Sequence, residues 1–171
     1  MDLKSKIREV PDFPKKGILF YDITTLLQDA TLFSEIVTRL STPFIGKQIQ
    51  KVVAVEARGF IFGAPVAQQL HAGFVPVRKQ GKLPYKTIQE SYQLEYGMDQ
   101  LTIHEDAIAK GERVLIVDDL LATGGTLSAT VNLIRKLEGV VVGVALLIEL
   151  LDLKGREKLS GIPITSLLTY F

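Results

Sequence analysis

The chain has 171 residues, 47% of them hydrophobic and 23% charged, and a formal net charge of +1. That length suits one domain able to bury most of its unfolded surface, and that balance argues against intrinsic disorder. Near-neutral charge makes duplex DNA an unpromising partner, and zero cysteines exclude disulfides and cysteine-built metal sites.

Leu3 to Val10 reads as a short helix stopped by Pro11 and Pro14. The stretch Gly17 to Leu27 is apolar but interrupted by Tyr21, Asp22 and threonines. Leu32, Ile36, Val37 and Leu40 recur at helical spacing and predict a helix over 31–40. Val52 to Val55 is a short continuous apolar run, expected to be a buried strand. Gly59 to Leu70 follows as a helix, with Pro65 marking a kink or a late start. Phe74 to Val77 is the next strand.

Arg78 to Gln89 then carries four basic residues and no acid, with Gly81 and Pro84, which predicts a mobile loop. After it, "ESYQLEYG" alternates strictly, putting Tyr92, Leu94 and Tyr96 on one face and Ser91, Gln93 and Glu95 on the other. Asp99 to Asp106 completes an antiparallel pair. Arg113 to Val117 reads as a buried strand, Thr126 to Leu137 as a helix, and Val140 to Leu150 as a long buried strand. Leu153 to Leu159 is a charged helical turn, and Ile164 to Tyr170 a last strand. The longest apolar run, Val140 to Ile148, is far short of a membrane span, and "MDLKSKIREV" lacks the apolar segment of a secretion signal. A soluble cytoplasmic protein with no membrane or nucleic-acid partner is expected.

Short apolar runs alternating with helices predict an α/β fold: a mainly parallel twisted sheet covered on both faces. Ligands in such sheets bind beyond the carboxyl ends of strands, where strand order reverses. Three strands end there in polar clusters: Glu56-Ala57-Arg58-Gly59, Arg78-Lys79 and Asp118-Asp119. "VLIVDDLLATGGT", Val114 to Thr126, is the most informative stretch. Gly124 and Gly125 permit a tight loop whose backbone N–H groups point inward, and the following helix offers the positive end of its dipole to an anion. Thr123 and Thr126 add hydroxyl donors. The two acids would repel that anion, so they must face something neutral or cationic, such as ribose hydroxyls or magnesium. A phosphorylated ribose satisfies both halves. Neither GxxxxGK[ST] nor GxGxxG is present, which disfavours ATP hydrolysis. The plainer alternative is an ordinary turn with helix-capping acids.

"VLIVDDLLATGGT" closely resembles the phosphoribosyl-pyrophosphate (PRPP) motif of the type I phosphoribosyltransferases. "PDFPKKGILFYDIT", "VEARGF", "RKQGKLPYKT", "ESYQLEYG" and "LKGREKL" resemble successive blocks of its adenine-using branch, so the resemblance runs from about Val10 to the C-terminus. It implies one domain over 1–171, with a small N-terminal hood for base recognition over about 1–30 and a flexible lid hairpin over about 78–105. The implied reaction is purine salvage: adenine plus PRPP gives AMP and pyrophosphate. It places the 5′-phosphate on Ala122, Thr123, Gly124, Gly125 and Thr126 and the ribose on Asp118 and Asp119. Pyrophosphate falls to Ala57, Arg58, Arg78, Lys79 and Lys82. Adenine falls to Leu19, Phe20, Tyr21 and Leu150. Glu95 becomes the acid/base near the purine, and Arg58 the second catalytic candidate. Magnesium would arrive with PRPP, touched by Asp118 and Asp119 only through water or the sugar, and a homodimer is implied because lid residues in the family reach a neighbouring site.

Simpler roles stand beside several of these: Arg58 paired with Glu56, Glu95 as an exposed strand residue, Phe20 and Leu150 as core, and the basic run as a solvated loop. The family often has arginine where this chain has Tyr21; a backbone contact survives that change, a side-chain role does not. His71 and His104 are isolated and receive no role. Rival functions are transfer to xanthine, hypoxanthine or orotate, and a PRPP-sensing regulator that binds nucleic acid.

Overall fold

The computed structural model describes residues 2–94 and 97–171. A two-stranded antiparallel ribbon comes first: β1 (Arg8–Pro11) pairs with β2 (Leu19–Asp22), matching Val10 to Phe20 and Glu9 to Tyr21. The helix expected over 3–10 is therefore corrected to a 3-10 turn at Lys4–Lys6 followed by a strand. Leu3 and Ile7, four apart, are both buried, which mimics one helical face. So short a segment has little helical stability of its own, and pairing with β2 takes its backbone instead.

Two helices follow, α1 (Thr24–Leu27) and α2 (Ala30–Ser41), the second capped by the Asp29 carboxylate, which accepts from the N–H groups of Thr31 and Leu32. The main sheet then builds from β3 (Lys51–Val55), α3 (Arg58–Gln69), β4 (Gly73–Lys79), the hairpin β5 (Thr87–Gln93) and β6 (Met98–His104), β7 (Arg113–Leu121), α4 (Gly125–Lys136), β8 (Val140–Leu150) and β9 (Ile164–Tyr170). Pro65 lies within α3 and does not end it. Strand bounds move from expectation, β6 ending at His104 rather than Asp106. β4 runs on through Arg78 and Lys79, and β7 continues through both aspartates to Leu121, so the acids sit on a strand rather than in the loop. Leu94 lies beyond β5 and is exposed, unlike Tyr92 on the half-buried face of that strand.

Seven strands are ordered β5-β6-β4-β3-β7-β8-β9. The run from β4 to β9 is parallel, and the β5–β6 hairpin joins the β4 edge antiparallel. Alternation along the central strands divides the core in two. Leu115 and Val117 of β7 face a cluster with Ile36 and Leu40 of α2 and Phe62 and Val66 of α3. Val114 and Ile116 face Leu127, Leu133 and Ile134 of α4, with Leu101 and Ile103 of the hairpin. Since α3 carries the chain from β3 out to β4 and the next parallel strand returns to the other side of β3, strand order reverses between β3 and β7. A crevice beyond the carboxyl ends of those two strands follows from the connectivity alone.

Phe62 is fully buried, with its ring 6.1 Å from that of Phe33. Phe62→Ala should lower unfolding free energy by about 3–5 kcal/mol in urea titration without shifting the active-site cleft, because the cavity would open behind α3.

Candidate active site

A cleft of about 430 Å³ occupies that crevice, lined by Val55 to Gly59 after β3 and by Asp118 to Leu127 at the end of β7 and the start of α4. The sequence clusters at 56–59 and 118–119 are thus brought together, with the Gly124-Gly125 loop on the same wall. Gly124 is the N-cap residue of α4 and holds φ +83°, a conformation that glycine adopts without cost. A side chain there would also meet the Gly155 carbonyl oxygen at 2.5 Å. No side chain caps this helix, so the amides of its first turn remain available to an anion. Thr123 and Thr126 line the cleft beside them.

Asp118 and Asp119 are both buried, 8% and 7% exposed. Asp118 accepts the Asp119 backbone N–H at 2.9 Å. Burial, and next the charge of Asp119, push the Asp118 carboxyl well above its ordinary value of 3.8. Asp119 pairs with Arg58, Nε to Oδ2 at 2.9 Å. Charge on this wall is therefore sorted: amide dipoles at one end, and at the other two carboxylates facing a guanidinium. Arg58 is not paired with Glu56 as the simpler alternative had it. Glu56 instead accepts the Lys79 N–H at 2.8 Å and the Arg78 guanidinium at 3.3 Å, which ties the end of β3 to the end of β4. The Glu56–Ala57 peptide is cis.

Arg78, Lys79 and Lys82 do not line this cleft. Arg78 is engaged by Glu56 and by the Lys82 carbonyl, and the Lys79 ammonium lies 2.9 Å from Asp99 on β6. Short-range pairing with these acids holds the basic residues beside the cleft. The base candidates divide as well. Phe20 lies under the Arg58 guanidinium, 5.6 Å from ring centre to carbon, and edge-on to Phe13 at 5.0 Å, which brings it towards the cleft. Leu19 is exposed. Tyr21 instead stacks on Tyr170, with ring centres 3.9 Å apart, so its ring anchors the β1–β2 ribbon to the sheet. Leu150 packs against the core cluster under α2 and α3. Glu95 lies outside the described residues.

Three features were not legible from the sequence: the Arg58–Asp119 pair, the lining by Leu120 and Leu121, and the approach of Gly155 to the glycine loop. The first and last join residues from separate elements, and the lining by Leu120 and Leu121 follows from β7 running past the acids; spacing along the chain reveals neither. Among the described residues, no cluster of three or more His, Asp or Glu forms a metal cage. Two carboxylates on an open wall fit a hard cation that brings its own water and phosphate oxygens.

A family model described as the phosphoribosyl transferase domain matches residues 24–164. The chain therefore belongs to the phosphoribosyltransferases, and its cleft lies at the strand reversal of that fold. Its relatives fix the branch. It is 57% identical over 168 residues to the adenine phosphoribosyltransferase of Acidobacterium capsulatum, covering 98% of this chain and 93% of that one. It superposes with a TM-score of 0.95 on the crystal structure of adenine phosphoribosyltransferase from Thermoanaerobacter pseudethanolicus, at 52% identity over 99% of this chain and 98% of that one. The adenine phosphoribosyltransferase of Saccharomyces cerevisiae, crystallised with adenine and an imino-altritol bisphosphate, gives 0.92 at 39% identity over 98% and 97% of the two chains. Within the class, this chain belongs to the adenine phosphoribosyltransferases.

Asp118 sets a pH-dependent stability. Its raised folded-state pKa means that the unfolded chain loses this proton first, so stability should fall as pH climbs from 3.8 to the folded-state value and then level off. Asp118→Asn keeps the shape and the acceptor without the buried charge. Its melting temperature should exceed that of the parent at neutral pH, with the gap closing below the ordinary carboxylate range. Equal melting curves at both pH values would contradict this.

Proposed function

We propose that the chain transfers the 5-phosphoribosyl group of PRPP to adenine, giving AMP and pyrophosphate, within this one cleft. The observation that carries the reading is a single wall with an uncapped helix start behind Gly124-Gly125 and two buried acids just upstream of it on β7. The 5′-phosphate rests on the amides and hydroxyls of Ala122 to Thr126, where the helix dipole favours it. Asp118 and Asp119 accept hydrogen bonds from the ribose hydroxyls. Ala57 and Arg58, across the cleft, take the pyrophosphate, which requires Arg58 to exchange Asp119 for the incoming anion. Loss of that partner is offset when the ribose diol reaches Asp119.

The bond from C1′ to pyrophosphate oxygen breaks as C1′ bonds to the purine imidazole nitrogen, with inversion at carbon. Charge builds on the leaving oxygen, which suits the fixed donors of Arg58 and the 57–58 amides. Glu95 accepts the proton released from the purine. Asp118 and Asp119 would hold a magnesium ion arriving with PRPP through water or the sugar, and that ion would supply charge neutralisation on the pyrophosphate. Phe20, Leu150 and the backbone at Leu19 and Tyr21 form the base pocket, and the first 30 or so residues serve as its hood. The hairpin region over about 78–105 is the lid, delivering Lys82 together with Arg78 and Lys79 once those two leave Glu56 and Asp99. Exclusion of water protects the cationic sugar from hydrolysis. One domain, a cytoplasmic location and a homodimer belong to the same reading.

Pyrophosphate release measured with a panel of bases tests it. Adenine should exceed hypoxanthine, xanthine and orotate by about 10³-fold in kcat/KM, since a 6-oxo edge leaves buried donors and acceptors mismatched. Another preferred base would overturn the assignment. Arg58→Ala and Glu95→Ala should each lower kcat by about 10²-fold or more with a native circular dichroism spectrum, and unchanged turnover removes that residue from the chemistry.

A further inference from the structure

The loop read above as the 5′-phosphate cup rests on two neighbours: the Tyr92 ring and Gln93 carbonyl stand 3.6 Å from where a Gly125 Cβ would be, and a bare backbone turn backs Gly124. Gly124 meets Gly155 backbone to backbone, with the carbonyl oxygen 2.5 Å and the Cα 3.1 Å from where a Gly124 Cβ would stand. In return, a Cβ on Gly155 would collide with the Ala122 carbonyl oxygen and come within 2.7 Å of Leu121. The wall behind Gly124 is therefore the turn at 154–155, and the amides on that side of the cup are only as definite as that turn. Gly155 opens a 3-10 helix of five residues, Gly155–Leu159, whose far end is held by buried Leu159 and whose near end is held by turn hydrogen bonds to the Leu151 and Lys154 carbonyls.

Its side-chain tie to the sheet edge is the next residue. Arg156 donates through Nε and Nη2 to the two oxygens of Glu149, at 2.5 and 2.7 Å. The Ser166 hydroxyl donates to the same carboxylate at 2.5 Å, and Arg156 also reaches the Ile164 carbonyl at 3.4 Å. Glu149 is 2% exposed and lies near the end of β8, while Ile164 and Ser166 are on β9. With the Arg156 side chain 47% exposed and Glu149 buried, such a pair adds little stability of its own. What it supplies is direction: a two-pronged guanidinium contact fixes the plane and distance of the residue that carries it. The sheet edge thus helps set where Gly155 stands, and Gly155 sets how closely Ala122 and Gly124 can approach.

We propose that Glu149 and Arg156 are positioning residues for sugar-phosphate binding, holding the Gly155 turn as the rigid back wall of the glycine loop. The proposal rests on the reading of that loop as the phosphate cup, and it extends the site to residues that never touch substrate. An error of about 1 Å in the amides is enough to cost binding and rate together.

Arg156→Lys keeps the charge and loses the fork, and Glu149→Gln keeps the shape and loses the charge. Gly155→Ala pushes on Ala122 directly without touching the ion pair. Ribose 5-phosphate binding by calorimetry and steady-state kinetics are measured for the parent and all three. Each variant should bind ribose 5-phosphate about tenfold more weakly and show a matching rise in KM for PRPP, with KM for adenine within about twofold of the parent. Gly155→Ala keeps the test open if an ion-pair variant fails to fold. Folded variants with unchanged ribose 5-phosphate affinity overturn the proposal, and so does an equal loss of affinity for both substrates, the mark of a general structural role. Failure of the parent to bind ribose 5-phosphate would instead remove the reading of the cup itself.

Discussion

The amide groups at the start of α4 and the carboxylates of Asp118 and Asp119 share one wall of one cleft, and the acids would repel the anion that the amides attract if both addressed the same spot. Separation along the wall resolves the conflict. Gly124 turns the chain with positive φ, so the amides gather at the helix start, while both acids remain on β7 with Arg58 opposite Asp119. A molecule with an anion at one end and hydroxyls at the other meets both sets of groups in register. Every other part of the proposed mechanism presupposes this sorting of charge.

Connectivity places the cleft, and packing sharpens it. Reversal of strand order between β3 and β7 leaves a gap between α3 and α4, and both helices begin there, with Arg58 at the start of one and Gly125 at the start of the other. The two hydrophobic clusters fix those helices on opposite faces of the sheet. Glu56 ties the ends of β3 and β4 together through Lys79 and Arg78, and the Glu149–Arg156 pair holds the turn behind the glycine loop. Polar contacts of this sort contribute modestly to stability and strongly to geometry, which is what a site built from fixed dipoles needs.

Stability and function pull against one another at Asp118. Burial beside a second acid disfavours its charged form, yet a ribose diol calls for a carboxylate acceptor. A folded protein tolerates that cost because the apolar core around β7 is extensive, with Val114 to Val117 fully buried immediately upstream. The arrangement is of the kind expected at functional sites, where local preference is overruled by chemistry.

Much of the architecture was legible in the chain. Continuous apolar runs pointed to β3, β7 and β8, helical spacing pointed to α2, and the acid pair followed by two glycines marked the cleft, because each signal is local. The segment at 3–10 misled for the same reason: Leu3 and Ile7 have helical spacing, but pairing with β2 decided the backbone. The sequence could not reveal that Arg58 would face Asp119 rather than Glu56, that Tyr21 would stack on Tyr170, or that Gly155 would stand against Gly124. Those contacts join residues far apart in the chain. Local preference determines which elements form, and only the folded sheet, by setting which strand ends lie side by side, determines which charges and backbones meet.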